Sequence, residues 1–386
     1  MDIKNVDSTY IANTYNRFPI QLCNGKGSLV YDENGKEYID MGSGIAVNSF
    51  GFCDEEWQNA VTAQLSQIQH SSNLYYTEPC AKLAELICKK TGMSKVFFAN
   101  SGAEANECAI KTARKYAAET KGSEFYTIIT LKNSFHGRTL ATLAATGQDV
   151  FHKDFLPLMP GFVYAQAGDT DELHRLVNEN KCAAIMFECV QGEGGVIPLG
   201  KEYVDEIVKV AKENNLLVIC DEVQTGNGRS GELYSYMHYG IKPDIFTTAK
   251  GLGGGLPIGA AVLGEKVKNT LTAGTHGSTF GGNPVCCAGA LSILNRIDSR
   301  LLEDVKKKSE YIINSLCSAK GIESVTGLGL MLGIKTVKPA SDVIKICMEG
   351  GVLCLSAKDK VRLLPALNIP WNLLEKAINV IKKAAE

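Results

Sequence analysis

Through the middle of the chain, short and almost wholly apolar runs alternate with glycine-rich or polar turns and helix-like stretches, and this alternation limits the fold more than any other feature. The runs occupy 95–99 (KVFFA), 125–131 (FYTIITL), 183–190 (AAIMFECV), 216–220 (LLVIC), 245–248 (IFTT) and 258–263 (IGAAVL). A strand that is apolar on both faces must be covered on both. With helices between the strands, the arrangement that does this is a mostly parallel sheet between helical layers, an α/β fold. In such sheets ligands bind beyond the carboxyl ends of the strands. The residues there carry many functional groups: Asn100-Ser101-Gly102, Ser134-Phe135-His136-Gly137-Arg138, Gln191-Gly192-Glu193-Gly194-Gly195, Asp221-Glu222-Val223-Gln224, and Lys250. One such strand end means little, but several on a single rim mark a site.

The texture changes near residue 290. Residues 301–316 place apolar side chains at helical spacing with a lysine-rich solvent face. Short strand candidates follow at 329–334 and 361–364, and a last helix at 373–385. The division expected is a large domain over 47–290 and a smaller α/β domain over 291–386. The N-terminal segment 1–46, with a turn at Asp32-Glu33-Asn34-Gly35, is expected to pack with the smaller one.

A formal net charge of −2 over 386 residues gives no electrostatic reason to expect a nucleic acid or an anionic membrane as partner. The first thirty residues lack a secretory pattern, and no apolar run is long enough to span a bilayer, so a cytoplasmic protein is expected. The thirteen cysteines include no C-x-x-C pair, and the six histidines fall in no metal-ligand spacing. Free thiols and no metal are expected.

Asn100 to Ala105 follow a strand and open a helix expected over 105–118. Two compatible readings apply to Ser101: an N-cap completed by Glu104, or part of a phosphate seat at the positive end of the helix. The cap is the simpler of the two on this stretch alone. Asp221 directly follows an apolar strand, where an acid either caps the next element or faces a cation. Lys250 closes the next strand, and a lysine at a buried strand end is disfavoured unless paired or covalently used. A carboxylate and a lysine at one rim are what a pyridoxal 5'-phosphate (PLP) ring needs, the acid at its pyridine nitrogen and the amine at its aldehyde. Gly226-Asn227-Gly228-Arg229-Ser230-Gly231 matches the G-x-G-x-x-G pattern of nicotinamide-dependent dehydrogenases. Asp221 to Thr225 separate it from the strand, however, where that pattern requires a direct strand-to-helix turn. Arg138 and Arg362 suit substrate carboxylates, or are surface arginines, a reading that fits Arg362 better than Arg138.

In this order these residues resemble the class III (ornithine-type) aminotransferases of PLP fold type I, over nearly the whole chain. The resemblance rests on NSGAEANE at 100–107, SFHGRT at 134–139, QGEGGV at 191–196, DEVQTGNGRSG at 221–231, PDIFTTAKGLGGGLPIGA at 243–260 and HGSTFGGNP at 276–284. It implies PLP as cofactor, with Lys250 as the lysine that bonds it and Asp221 at the ring nitrogen. Gln224 would meet the ring hydroxyl, Val223 and Phe135 the two ring faces, and Ser101, Gly102 and Ala103 the phosphate. Ser278 and Thr279 would reach the phosphate of a neighbouring subunit, which implies a homodimer with shared sites. Arg138 would bind the carboxylate remote from the reacting amine and Arg362 the α-carboxylate of glutamate, with Glu193 neutralising Arg362 when the other substrate is present. The reaction implied moves the terminal amino group of N2-acetylornithine to 2-oxoglutarate, giving N-acetylglutamate 5-semialdehyde and glutamate, a step of arginine biosynthesis. Ornithine, succinylornithine and 4-aminobutyrate are alternative donors within the same family. The sequence departs from the family at Gly51-Phe52-Cys53-Asp54-Glu55, which lacks the usual histidines and proline, and at Cys189, where relatives often have proline. The first is expected to be the start of a helix and the second a packing variation.

Overall fold

The structure, a computed structural model, describes residues 3–386. Its central sheet has seven strands: β1 Lys95–Ala99, β2 Thr127–Leu131, β3 Phe162–Ala165, β4 Cys182–Phe187, β5 Leu217–Asp221, β6 Ile245–Thr248 and β7 Gly259–Leu263. They lie in the order β3-β2-β4-β5-β6-β7-β1. β7 pairs antiparallel with β6 and β1, and the remaining pairings are parallel. The central strands are buried because both faces meet helices. Ile129, Ile185, Phe187, Ile219 and Phe246 have no exposed surface, and each such side chain contributes about 1.5–3 kcal/mol.

Two details differ from the sequence expectation. β3, not among the runs named above, is an edge strand whose Phe162, Val163 and Tyr164 are only half-buried. The run at 183–190 is not one strand. β4 stops at Phe187, and the chain pairs again only at Val190–Gln191, against Ile197–Pro198. Glu188 stands at the break and accepts the backbone N–H of Phe135 at 3.0 Å.

A second core surrounds an antiparallel sheet of Ile322–Leu328, Met331–Thr336, Lys360–Leu363 and Leu355–Ala357. The helices Ser299–Cys317, Ala340–Glu349 and Trp371–Ala385 supply its other apolar faces. Ile39 and Met41 belong to this core, and Val352–Leu353 pairs with Glu37–Asp40. At the expected turn, Asp32 accepts from the backbone N–H of Asn34 and Lys36 at 2.8 and 2.9 Å. Asp54 caps the helix Glu55–Leu65, so the atypical 51–55 stretch is a helix start. Cys189 is buried in the large core.

The glycine pattern at 226–231 is not a strand-to-helix turn. It is a run of turns with no helix directly behind it, and the buried Arg229 within it donates to the carbonyls of Leu330 (3.2 Å) and Pro365. The segment joins the large core to the small sheet and has no helix end to offer a dinucleotide.

Candidate active site

The parallel strands end on one rim, and a cleft of about 670 Å³ opens there. Ser101, Gly102, Ala103, Phe135, Arg138, Asp221, Val223, Gln224 and Lys250 all line it, so most of the residues singled out in the sequence meet in one place. Ser101 is the N-cap of the helix Gly102–Thr120, with its hydroxyl accepting the N–H of Glu104 at 3.2 Å. The cap leaves the N–H groups of the first turn directed at the cleft, where the helix dipole favours an anion. A Cβ at Gly102 would lie 2.5 Å from Val223, so only glycine fits between helix and cleft wall there.

Asp221 is the last residue of β5 and is buried. Its Oδ2 accepts from Asn106 Nδ2 and from His136 Nδ1, each at 2.8 Å, and its Oδ1 from the N–H of Val223 at 3.0 Å. Asn106 is itself fixed, because its Oδ1 accepts the hydroxyl of Thr247 at 2.7 Å while its Nδ2 also reaches the carbonyl of His136. A carboxylate with this many donors is held at a set angle and tolerates burial. Glu188 is buried in the same cleft wall. Burial pushes its carboxyl up to about 7, with His136 pulling it down and Asp221 raising it.

Lys250 follows β6 in left-handed backbone conformation, with φ of 44°. Among the described residues no hydrogen bond or ion pair holds its amine. Burial lowers its pKa from the ordinary lysine value, and Asp221 and Glu193 offset that only in part. An unpaired amine with weakened basicity, facing a cleft, is suited to attack a carbonyl or carry a proton.

The two arginines reverse the expectation about which is more exposed. Arg362, on the strand Lys360–Leu363, is buried, and its Nη1 lies 2.5 Å from Glu193 Oε1 and 3.3 Å from Gln224 Oε1. Burial alone would raise the Glu193 carboxyl, but Arg362, Lys250 and Gln224 hold it below its usual range. Arg138 is the exposed one. Its guanidinium lies over the Phe151 ring at 4.2 Å and over Phe135 at 5.5 Å, with no acidic partner among the described residues. Ser278 Oγ accepts from Asn100 Nδ2 at 3.2 Å, while Thr279 is exposed, and neither lines the cleft of this chain.

Asn106, Glu188, His136 and Tyr15 also line the cleft, with no role foreseen for them from the sequence. An acid inside an apolar run was the available signal for Glu188. His136 and Asn106 lie inside SFHGRT and NSGAEANE, which mark them, whereas Tyr15 carries no local signal, since only the folded chain brings it to the cleft.

A family model described as aminotransferase class-III matches residues 10–385. The chain belongs to the class-III aminotransferases. It is 47% identical to the acetylornithine aminotransferase of Haemophilus ducreyi, over 98% of this chain and 97% of that protein. It is 42% identical to the acetylornithine aminotransferase of Methanocaldococcus jannaschii, over 97% and 96%. The ornithine aminotransferase of Toxoplasma gondii superposes with a TM-score of 0.95 at 29% identity, covering 100% of this chain and 94% of that one. The N-acetylornithine aminotransferase of Stenotrophomonas maltophilia superposes with a TM-score of 0.86 at 31% identity, covering 98% and 97%. The fold is therefore PLP fold type I, and the cofactor of this class-III aminotransferase is PLP. The cleft fits that group on its own chemistry: a free amine at Lys250, a buried carboxylate at Asp221, and a helix N-terminus kept open by Gly102.

Proposed function

We propose that this class-III aminotransferase moves the terminal amino group of N2-acetylornithine to 2-oxoglutarate, giving N-acetylglutamate 5-semialdehyde and glutamate. Its acetylornithine-named relatives, at up to 47% identity over nearly the full chain, support that donor. The observation that carries the reading is the state of the two arginines: Glu193 occupies Arg362, while Arg138 has no acidic partner among the described residues. A donor reacting through its terminal amine brings no carboxylate to Arg362, but does bring its distant α-carboxylate to Arg138. Glutamate reacts through its α-amine and requires Arg362, so Glu193 has to release it.

PLP, when bound, supplies an electron sink for the pair left on the substrate carbon. Lys250 Nζ would hold the cofactor until the donor's amine displaces it; the freed amine would then take the proton from the amine-bearing carbon and deliver it to the cofactor carbon. Asp221, its carboxylate fixed by Asn106 and His136, would keep a proton on the ring nitrogen. Ser101, Gly102 and Ala103 would donate to the phosphate, Phe135 and Val223 would confine the ring, and Gln224 would meet its hydroxyl. Ser278 and Thr279 serve the phosphate of a second copy. The exposed Leu74, Tyr75, Tyr76 and Phe280 nearby form an apolar surface of the kind a homodimer covers. The thirteen free cysteines suit a reducing, cytoplasmic setting, and among the described residues no helix is long and apolar enough to cross a membrane.

The test is turnover with N-acetylornithine, ornithine, succinylornithine and 4-aminobutyrate against 2-oxoglutarate. N-acetylornithine should have the highest kcat/KM, and Arg138→Ala should lower that value about 10²-fold through loss of a charge-assisted pair, mostly in KM. Preference for another donor in the wild type overturns the assignment. Glu193→Ala exposes the Arg362 charge to either substrate. The ratio of kcat/KM for N-acetylornithine over glutamate should fall about tenfold, and an unchanged ratio would show that Glu193 does not switch Arg362.

A further inference from the structure

Lys250 is in left-handed backbone conformation, which a side chain with a Cβ adopts only when its surroundings over-determine it. Those surroundings consist of two buried side-chain donors, one on each side. Asn227 Nδ2 donates to the carbonyl of Ala249 at 3.2 Å and to Thr248 Oγ1 at 3.0 Å. A carbonyl only accepts, so the amide nitrogen is the end that faces Ala249. Ser49 Oγ donates to the carbonyl of Gly251 at 3.0 Å. A Cβ at residue 251 would lie 2.7 Å from that hydroxyl, so glycine is what lets the bond form.

Both donors also lead to the chain that carries Arg362. The carbonyl of Ser49 accepts the N–H of Leu367 at 2.8 Å. Two residues beyond Asn227, Arg229 donates to the carbonyls of Pro365 and Leu330. Pro365 and Leu367 follow the strand of Arg362, and Leu330 precedes the strand whose Gly333 is opposite Arg362. The two bonds around Lys250 are therefore the near ends of two short links, on opposite sides, to the segment that positions the arginine.

We propose that Asn227 and Ser49 are positioning residues that clamp the backbone on either side of Lys250 and set its amine relative to Arg362. The inference rests on Lys250 being the reactive lysine. A lysine side chain has a long, flexible stem, so the place of its amine is governed by where the backbone launches it and by how little that backbone moves. It also gives the 226–231 glycine segment a role: Gly226 and Gly228 frame an asparagine that itself adopts the left-handed conformation at φ of 57°.

The experiment compares holoenzyme variants Asn227→Gly, Ser49→Ala, Ser49→Thr and Lys250→Ala. Glycine at 227 retains the left-handed backbone without strain and removes the donors with the rest of the side chain, whose Oδ1 has no partner among the described residues. Ser49→Ala deletes a single oxygen and stands as the test by itself if Asn227→Gly does not fold. The readouts are kcat and KM for N-acetylornithine, thermal midpoint, and the pH midpoint of the visible absorbance of the bound cofactor. The last reports the Lys250 nitrogen in its bond to the cofactor against the charged groups that face it, Asp221, Glu193, Arg362 and Glu188. Asn227→Gly and Ser49→Ala should each lower kcat about tenfold with KM within about twofold, and move the pH midpoint. Ser49→Thr, which keeps the hydroxyl, should restore both. The double variant should lose less than the product of the single losses, because both bonds hold one conformation. A lowered thermal midpoint with unchanged kcat and pH midpoint would reduce the two residues to ordinary buried polar groups and overturn the proposal. If Lys250→Ala still turned over, the reading of Lys250 itself would fall. A dead Lys250→Ala beside wild-type clamp variants would overturn the clamp alone.

Discussion

Lys250→Ala is expected to lose turnover with every amino donor by at least about 10⁴-fold and to lose the visible absorbance of the bound cofactor, while remaining folded. The size of the effect follows from the two duties assigned to one atom, since among the described residues no other lysine lines the cleft to hold the cofactor or carry the proton. The fold should survive because the amine has no hydrogen bond or ion pair to lose among the described residues. Alanine and lysine also have the same Cβ in the left-handed backbone, so that strain is unchanged. Burial holds the folded pKa of Lys250 below its unfolded value of 10.5, so the charged amine costs the cofactor-free protein stability at any pH below the folded pKa. That cost shrinks as pH rises from the folded to the unfolded value and vanishes above it. Cofactor-free Lys250→Ala should therefore melt above the cofactor-free wild type near neutral pH, and the gap should close toward pH 10.5. Calorimetry across that range checks the direction, and a variant that melts lower at pH 7 contradicts a cleft that disfavours the charged amine.

Lys250 and Asp221 were legible in the sequence because each sits where a strand pattern stops, and a charged residue at such a place calls for an explanation. The arginines were harder. Arg362 lies in a short run whose burial comes from a sheet formed by distant segments, and its partner Glu193 is 169 residues away. No local pattern reports a pair of that kind, so the buried arginine looked like the exposed one. Glu188 illustrates another limit. An apolar run of this length resembles one strand, and the break at Phe187 exists because the glutamate turns to take the N–H groups of Phe135 and Gly192. The 226–231 glycines matched a pattern whose meaning depends on a helix behind it, and spacing alone was enough to set that reading aside. What spacing could not supply was the use of Asn227, which depends on Lys250 folding back beside it. Strand-forming segments are thus written locally, whereas Asn106, His136, Asn227 and Ser49 meet the strand ends only when a helix and distant loops pack there.

Asp221 carries the other large effect, and two substitutions separate its charge from its hydrogen bonds. Asp221→Asn keeps the shape of the side chain but removes the charge that keeps a proton on the ring nitrogen. Loss of a charge-assisted bond in a buried site lowers kcat by about 10²-fold or more. Part of the surrounding network can adapt, because His136 can present a bare ring nitrogen to the new amide instead of an N–H. Asp221→Ala leaves nothing to accept from Asn106 Nδ2, His136 Nδ1 or the N–H of Val223. Asn106 still reaches the carbonyl of His136, so the histidine and the backbone N–H bear most of the loss. With each stranded donor costing about 1–3 kcal/mol, Asp221→Ala should be destabilised by about 2–5 kcal/mol beyond its loss of turnover. The expected pattern is a similar fall in kcat for both variants, with a large drop in thermal midpoint for alanine and a small one for asparagine. An Asp221→Asn enzyme with wild-type kcat would show that the carboxylate is a structural acceptor and that its charge does not act on the cofactor.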